Sequence, residues 1–128
     1  MSFRFVVIDD AAFLREVIKN TLTQAGGVFV GEADNGLEAI DVVQATLPDI
    51  LTLDLVMPHA NGLQIALQLK EIHPDLKILV CSTLDEDLYR DKAIGAGADD
   101  YISKPFSKEN LIEKVTKLLA RENIEWKS

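Results

Sequence analysis

Short apolar runs alternate with segments of helical periodicity along the chain, and this alternation constrains the fold more than any other feature. Five such runs occur, at Phe5–Ile8, Val28–Ala33, Ile50–Asp54, Lys77–Ser82 and Tyr101–Ser103. Their length and β-branched content are typical of strands in a parallel sheet that is covered on both faces. Parallel strands need crossover connections, which are helical and right-handed in nearly all proteins. The sequence therefore predicts an α/β fold with five parallel strands and helices on both faces.

The segments between these runs carry apolar residues at helical spacing and end near glycine or proline. Predicted helices cover about Phe13–Leu22, Leu37–Leu47, Leu63–Lys70, Asp85–Ile94 and, beyond the cap residue Ser107, Leu111–Leu119. The tail from Arg121 to Ser128 is expected to fray. For the strand order we adopt 2-1-3-4-5, which is that of flavodoxin-like folds and does not itself follow from the pattern.

Length and charge limit the classes of function. The chain has 128 residues and a net charge of −8, which suits one domain over residues 1–128, with a core at about 3–120 and a short C-terminal tail. The acidic charge argues against direct binding of nucleic acid or anionic membranes, because both need a positive field. It suits a divalent cation or a basic partner, although a solvated acidic surface is the commoner cause. Neither a signal peptide nor a membrane-spanning run is evident, so a cytoplasmic location is expected.

The chain has one cysteine, Cys81, inside the apolar run that forms the fourth predicted strand. A disulfide within the chain is therefore excluded. Because its neighbours are apolar, we expect Cys81 to be a small buried hydrophobic residue without a redox or catalytic role.

Charged and hydroxyl side chains follow four of the predicted strands. These are Asp9 and Asp10 after strand one, Asp54 after strand three, Ser82 and Thr83 after strand four, and Lys104 after strand five. The carboxyl ends of parallel strands share one edge of the sheet, where open α/β sheets bind ligands. Each residue alone is better explained as a cap, a turn or a solvated side chain. Their joint arrival at one edge is what indicates a site.

The adopted strand order makes strands one and three neighbours, so Asp9, Asp10 and Asp54 are predicted to converge. Three carboxylates repel one another unless a cation lies between them, and hard oxygen ligands with room for water suit Mg²⁺. A metal would leave one carboxylate able to act as a nucleophile towards a phosphoryl group. Lys104 offers a positive charge for a phosphoryl oxygen, and Ser82 offers a hydroxyl donor.

This set of residues, together with Met57-Pro58, Gly62 and the sequence Lys104-Pro105-Phe106, resembles the receiver domain of bacterial two-component response regulators. The resemblance covers about Phe3 to Ala120. It implies that Asp54 is the phosphoacceptor, which takes phosphate from a histidine kinase, a phosphotransfer protein or a small phosphodonor. It also implies a Mg²⁺ ion surrounded by Asp9, Asp10, Asp54 and the backbone carbonyl of Val56, with Asp10 in direct contact and Asp9 acting through water.

The same resemblance implies a switch. Ser82 is the hydroxyl that moves onto the phosphoryl group, Tyr101 is the aromatic residue that turns inward behind it, and Lys104 pairs with the phosphate. The Lys104-Pro105 bond is expected to be cis. From the pattern alone, packing at the rim is the commoner role of a strand tyrosine, so both interpretations of Tyr101 stay open.

Some positions depart from the usual receiver sequence. Asn61 stands where an acidic residue is common, and Thr83 stands where a smaller residue is common, so that its methyl group narrows access to Asp54. Val56 and Leu84 follow the acceptor and the switch hydroxyl by two residues, and both are apolar. Polar residues there hold an attacking water, whereas apolar residues exclude it. We therefore expect a long-lived phosphoryl-aspartate.

The resemblance favours a stand-alone switch of the chemotaxis type, with no DNA-binding output domain in this chain. The alternative of one receiver domain excised from a longer regulator stays open. The expected output surface of the domain is formed by the fourth helix, the fifth strand and the fifth helix. This surface is expected to bind a downstream protein that the sequence does not identify. A monomer, or a weak dimer that depends on phosphorylation, is expected. Apart from its own phosphorylation and dephosphorylation, no enzyme activity is expected.

Two other functions fit the sequence less well. A Mg²⁺-dependent phosphatase with an aspartyl nucleophile would want a second aspartate two residues after the first, where Val56 stands. A flavin-binding protein would want a phosphate-binding loop rich in serine, threonine and glycine after strand one, where Asp9 and Asp10 would repel the phosphate.

Overall fold

A computed structural model of the protein describes residues 2–58 and 60–127, with side chains as far as residue 120. The strands are β1 Phe3–Ile8, β2 Gly27–Ala33, β3 Ile50–Leu53, β4 Val56–Met57, β5 Ala60–Asn61, β6 Lys77–Ser82 and β7 Asp100–Ser103. The helices are α1 Ala12–Gln24, α2 Gly36–Thr46, α3 Gly62–Ile72, α4 Glu86–Gly95 and α5 Lys108–Lys127. Within these residues no helix is both long enough and apolar enough to cross a membrane.

The main sheet has five parallel strands in the order β2-β1-β3-β6-β7. The two-residue strands β4 and β5 form a separate antiparallel hairpin. When only the strands of the main sheet are counted, their order is therefore the adopted 2-1-3-4-5. Both the α/β fold class and the strand order are therefore confirmed. Because β1 lies next to β3, with Ile8 opposite Leu53, the residues that follow these strands meet at one edge.

The sheet is covered on both faces, as the apolar runs predict. Helices α1 and α5 pack on one face, where Ile18, Leu22 and Leu111 join the buried side chains of the strands. Helices α2, α3 and α4 pack on the other face, where α2 and α3 contribute Val43 and Leu69. Helix α4 buries only Ala93, so it is held less by apolar packing than its neighbours.

Two local details come from the structure. Helix α5 continues to Lys127 and so includes the segment from Arg121, whose fraying stays a prediction. No glycine or proline interrupts the sequence after Ser107, so nothing in it ends the helix early. Gly62 is the first residue of α3 and is not among the glycines with positive φ.

Cys81 lies inside the core and is 1% exposed, as expected for a small hydrophobic residue. Burial raises the pKa of its thiol well above the ordinary value, because the thiolate would be removed from water. The thiol is therefore protonated in the folded protein.

Candidate functional site

Three aspartates converge at the carboxyl edge of the sheet. Asp9 and Asp10 follow β1, and Asp54 follows β3, so the pairing of these strands sets their spacing. One carboxylate oxygen from each residue lies within 4.8 Å of the other two. Asp9 and Asp54 are buried, whereas Asp10 is exposed. The site is thus an acidic cluster with two buried members and one that faces solvent.

Lys104 reaches this cluster from the loop after β7. Its Nζ atom lies 2.7 Å from Asp9 Oδ2 and 3.4 Å from Asp54 Oδ2. Its backbone N–H donates to the Ser82 carbonyl across 2.8 Å, which ties the loop to the end of β6. The Lys104-Pro105 bond is cis, as expected. One cation therefore lies between two buried carboxylates.

Burial and charge act in opposite directions on these groups. Burial raises the pKa of Asp54, against the lowering effects of the Val56 N–H and of Lys104, and Asp9 adds to the rise. Burial lowers the pKa of Lys104, but the carboxylates of Asp9 and Asp54 outweigh it, so the net pKa is raised. Lys104 is therefore held in its charged form, and an ionised Asp54 is left in an unfavourable environment that additional positive charge would relieve.

Asp9 is held in place from both sides. Its Oδ1 atom accepts a hydrogen bond from the Ala11 N–H at 2.9 Å, and its Oδ2 atom accepts one from Lys104. The Arg15 guanidinium donates to the Asp9 carbonyl at 2.7 Å and pairs with Glu32 at 2.7 Å. Both carboxylate oxygens of Asp9 are thus engaged. Sequence reasoning missed the role of Arg15, because its position on α1 follows helical spacing and signals only a solvated face.

Asp54 is positioned by the backbone around it. Its N–H donates to the Ile8 carbonyl at 2.9 Å, and its Oδ1 atom accepts a hydrogen bond from the Val56 N–H at 3.1 Å. Asn61 caps α3 by accepting hydrogen bonds from the N–H groups of Leu63 and Gln64. The position of the Asp54 carboxylate therefore depends on the conformation of the segment between β3 and α3, which contains the β4–β5 hairpin.

Gly62 allows this hairpin to close. A Cβ atom at position 62 would lie 2.5 Å from the Leu55 Cα, 2.9 Å from the Leu55 carbonyl oxygen and 3.0 Å from the Asp54 carbonyl oxygen. All three are backbone atoms, so a side chain here cannot be accommodated by a rotamer change. Glycine is required by this close approach and not by a positive φ, which Gly62 does not have.

Gly62→Ala is expected to lower the free energy of unfolding by about 2 kcal/mol, because the backbone next to Asp54 must shift. Gly95→Ala is the matched control, since a Cβ atom at Gly95 meets nothing within 4 Å. The control is expected to leave stability unchanged or slightly raised. Urea denaturation measures both, and equal stability of the two variants would contradict the close-approach argument.

The two residues expected to act as a switch are joined through Leu84. The Ser82 Oγ atom accepts a hydrogen bond from the Leu84 N–H at 3.1 Å, and the Tyr101 hydroxyl donates to the Leu84 carbonyl at 2.8 Å. Ser82 and Tyr101 are both fully buried, so Tyr101 takes the inward position here, and burial raises the pKa of its phenol. Thr83 is exposed at the site's mouth. This shared link at Leu84 had no signal in the sequence, because the atoms that Leu84 contributes are all backbone atoms.

Polar contacts join α4, β7 and α5 beside Tyr101. Arg90 Nη2 lies 2.8 Å from Asp100 Oδ1, and Lys114 Nζ lies 3.4 Å from Asp100 Oδ2. The Ser103 hydroxyl donates to Glu86 at 3.0 Å. Burial alone would raise the pKa of Asp100, but the Tyr101 N–H, Lys114 and Arg90 together lower it. Because α4 has little apolar packing, these contacts are a large part of what holds it to the sheet.

Comparison with known proteins identifies the family. A family model described as the response regulator receiver domain matches residues 5–116. The chain belongs to the response-regulator receiver family. As a receiver domain, it is 40% identical over 118 residues to the chemotaxis protein CheY of Thermotoga maritima, covering 92% of this chain and 98% of that protein. It is 36% identical over 119 residues to CheY of Bacillus subtilis, covering 93% and 99%.

A solved structure supports the receiver fold. The CheX–CheY–BeF₃–Mg²⁺ complex from Borrelia burgdorferi contains a chain that matches with a TM-score of 0.88 and 23% identity, covering 91% of this receiver domain and 89% of that chain. At this identity the likeness concerns the fold. The resemblance inferred from the sequence motifs is thus confirmed at the level of family, two-component signalling and fold.

Proposed function

We propose that this receiver domain accepts a phosphoryl group on Asp54 and uses it to change a partner-binding surface. The observation that carries the proposal is the environment of Asp54. This buried carboxylate lies in a three-aspartate cluster and 3.4 Å from the Lys104 ammonium. The donor is a histidine kinase, a phosphotransfer protein or a small phosphodonor. The domain catalyses its own phosphorylation and dephosphorylation and turns over no separate substrate.

The transfer is a displacement at phosphorus. A carboxylate oxygen of Asp54 attacks, the new O–P bond forms, and the bond from phosphorus to the donor's nitrogen or oxygen breaks, with its electron pair leaving on the donor. Lys104 pairs with a phosphoryl oxygen, because its ammonium already lies between Asp9 and Asp54. The buried hydroxyl of Ser82 donates to another phosphoryl oxygen after leaving the Leu84 N–H.

The residues present fit a hard divalent cation. Mg²⁺ would be held by Asp10, Asp54 and the Val56 carbonyl, with Asp9 acting through water. This assignment agrees with the hydrogen bonds of Asp9, whose two carboxylate oxygens already accept from Ala11 and Lys104, whereas Asp10 is exposed. When bound, the ion supplies positive charge that offsets the carboxylates and the incoming phosphoryl group.

The readout follows from the link at Leu84. If Ser82 turns towards the phosphoryl group, the Leu84 N–H loses its hydrogen-bond acceptor. The segment around Leu84, whose carbonyl accepts a hydrogen bond from the Tyr101 hydroxyl, then rearranges. Tyr101 lies at the border of α4, β7 and α5, so the contacts of Arg90 and Glu86 rearrange with it. This face binds the downstream protein, and the acidic start of α4 favours a basic patch there.

A phosphorylation experiment tests the proposal. The purified domain is incubated with acetyl phosphate and either Mg²⁺ or EDTA, followed by a phosphate-affinity gel and peptide mapping by mass spectrometry. We expect label that depends on Mg²⁺ and lies on the peptide containing Asp54. Label on another residue, or equal label in EDTA, would refute the proposed site.

The phosphoryl group is expected to be long-lived. Val56 is 53% exposed and Leu84 is half-buried, so apolar side chains flank the approach to Asp54. In Val56→Asn/Leu84→Glu, the polar groups can hold an attacking water, and hydrolysis is expected to be about tenfold faster. The rate of hydrolysis is measured as the decay of label after the phosphodonor has been removed.

Val28→Asn/Leu88→Glu is the matched control for the lifetime, because both positions are exposed and belong to β2 and α4. The control is expected to keep the wild-type rate. Equal decay in the wild type and in Val56→Asn/Leu84→Glu would show that water access at these positions does not limit hydrolysis.

The likeness to two CheY proteins supports a chemotaxis-type role, in which the domain acts in the cytoplasm by binding proteins rather than nucleic acid. We propose a monomer, or a weak dimer that forms on phosphorylation. A Mg²⁺-dependent phosphatase is the second candidate, carried by the acidic cluster alone. Turnover of a phosphomonoester by the wild type, with release of phosphate in excess of the protein, would favour the phosphatase.

A further inference from the structure

One flank of the molecule is uniformly acidic. Between Lys19 and Lys70 the sequence contains no lysine or arginine, so every charged side chain in this stretch is an aspartate or a glutamate when histidine is neutral. The stretch includes the whole of α2, and it includes α3 except for the last turn of that helix. Asp34, Glu38 and Asp41 are exposed there. Among the side chains described, no lysine or arginine pairs with any of these three residues, so their charge is not compensated locally.

An apolar groove crosses this flank between α2 and α3, with a volume of about 260 Å³. Leu37 and Ile40 line one side, and Gln64, Ile65 and Gln68 line the other. Leu37 is 79% exposed and lies beside the half-buried Ile40, so the two form one apolar patch on α2. The groove therefore presents apolar surface between amide side chains.

The groove continues towards the phosphoacceptor site. It shares Gly36 and Leu37 with a wider depression of about 610 Å³, which also has Asp10, Asp34 and Pro58 in its lining. At the other end, Asp41 follows Leu37 by four residues and so lies on the same face of α2. Apolar surface is thus bordered by carboxylates at both ends.

Charge distinguishes this groove from the exposed apolar positions on α1 and α4. Phe13 on α1 has Arg15 and Lys19 on its own helix, and Leu88 on α4 has Arg90 and Lys92 on its own helix. Leu37 has only acidic charges nearby in the sequence. An apolar strip between uncompensated carboxylates is complementary to a helix with one apolar face and flanking basic residues.

We propose that the groove between α2 and α3 binds a lysine- or arginine-rich amphipathic helix of a partner protein. The apolar face of that helix covers Leu37 and Ile40, and its basic residues meet Asp34 and Asp41. This surface lies apart from the face formed by α4, β7 and α5. The domain therefore has a second docking surface.

A peptide titration tests the proposal. The probe is a synthetic amphipathic helical peptide of leucine and lysine, and the comparison peptide has glutamate in place of lysine. Both are titrated into the ¹⁵N-labelled, unphosphorylated domain and followed by NMR chemical shifts and fluorescence anisotropy. We expect the lysine peptide to bind with shifts centred on residues 36–41 and 60–68, and its affinity to fall as salt is raised.

Two variants of the groove are paired with two controls. Asp41→Lys/Gln68→Lys and Leu37→Ser are each expected to weaken binding of the lysine peptide by about tenfold. Asp91→Lys/Thr116→Lys makes the same charge change on α4 and α5, and Leu88→Ser removes an exposed apolar side chain from α4. Both controls are expected to leave affinity unchanged.

Several outcomes would overturn the proposal. These are shifts centred on α4 and α5, equal weakening by the control variants, or equal binding of the glutamate peptide. Analytical ultracentrifugation tests the remaining alternative, which is that the domain forms a dimer through this groove. A dimer that Leu37→Ser abolishes would mean that a second copy of the chain, rather than a basic partner, occupies the groove.

Discussion

Asp54→Asn is expected to take up no phosphate from acetyl phosphate in the presence of Mg²⁺, with a loss of at least about a hundredfold in labelling rate. The amide is neutral, so its oxygen lacks the negative charge that makes a carboxylate oxygen a nucleophile. Its shape is almost unchanged, so the Val56 N–H keeps an acceptor at this position. The variant therefore removes the chemistry while leaving the surrounding hydrogen bonds.

The fold of Asp54→Asn provides an internal check. Because burial raises the pKa of Asp54, ionising this carboxyl group costs more free energy in the folded protein than in the unfolded chain. Replacing it with a neutral group is expected to leave thermal stability equal to or above that of the wild type. Asp91 is an exposed aspartate on α4, so Asp91→Asn is the control and should be labelled like the wild type. Wild-type labelling of Asp54→Asn would show that another residue is the acceptor.

Lys104→Met is expected to lower the free energy of unfolding by about 3 kcal/mol in EDTA. The lysine is the cation between two buried carboxylates, and Asp9 is only 1% exposed. Removing one partner of a buried ion pair leaves the other charge uncompensated, which is much costlier than losing an exposed pair. Urea denaturation measures the difference.

Lys117→Met is the matched control, because its ion pair with Glu113 is exposed, with side-chain exposures of 70% and 63%. Its stability is expected to change by less than about 0.5 kcal/mol. Adding Mg²⁺ should stabilise Lys104→Met more than the wild type, since the ion then supplies the missing positive charge. Equal stability of the two variants in EDTA would contradict the role given to Lys104 in compensating buried charge.

The charges at the site leave room for a second cation beside Lys104. Lys104 compensates the charge on Asp9 and part of the charge on Asp54, but the pKa of Asp54 is still raised. A bound metal next to the exposed Asp10 would complete the compensation. With that charge supplied, Lys104 would be able to pair with a phosphoryl oxygen, as the proposed transfer requires.

Much of the architecture could be predicted because it depends on local patterns. The strand Lys77–Ser82 was predicted with its observed bounds, and Asp54 was placed at the end of β3, because apolar runs and turn residues mark these points directly. The motif residues at the strand ends were also sufficient to indicate the receiver family. The strand order was adopted by analogy, since no local pattern states which strands become neighbours.

Other features were beyond the sequence because they depend on distant atoms. Gly62 looked like a turn glycine, but the requirement comes from the backbone of Leu55, seven residues earlier. Arg15 looked like a solvated residue, but it donates to the Asp9 carbonyl. The connection of Ser82 to Tyr101 passes through the backbone of Leu84, whose identity carries no signal of it.

The sequence by itself determined the fold class, the family and which side chains reach the edge of the sheet. Hydrophobic periodicity and strand-end residues are local properties, and local properties can be recognised along a single chain. Only the tertiary structure decided that Lys104 pairs with Asp9 and Asp54, that Tyr101 lies inward, and that α2 and α3 leave an apolar groove between them. Each of these depends on how separate elements pack, because distances between segments far apart in the chain are set by the sheet and not by any one segment.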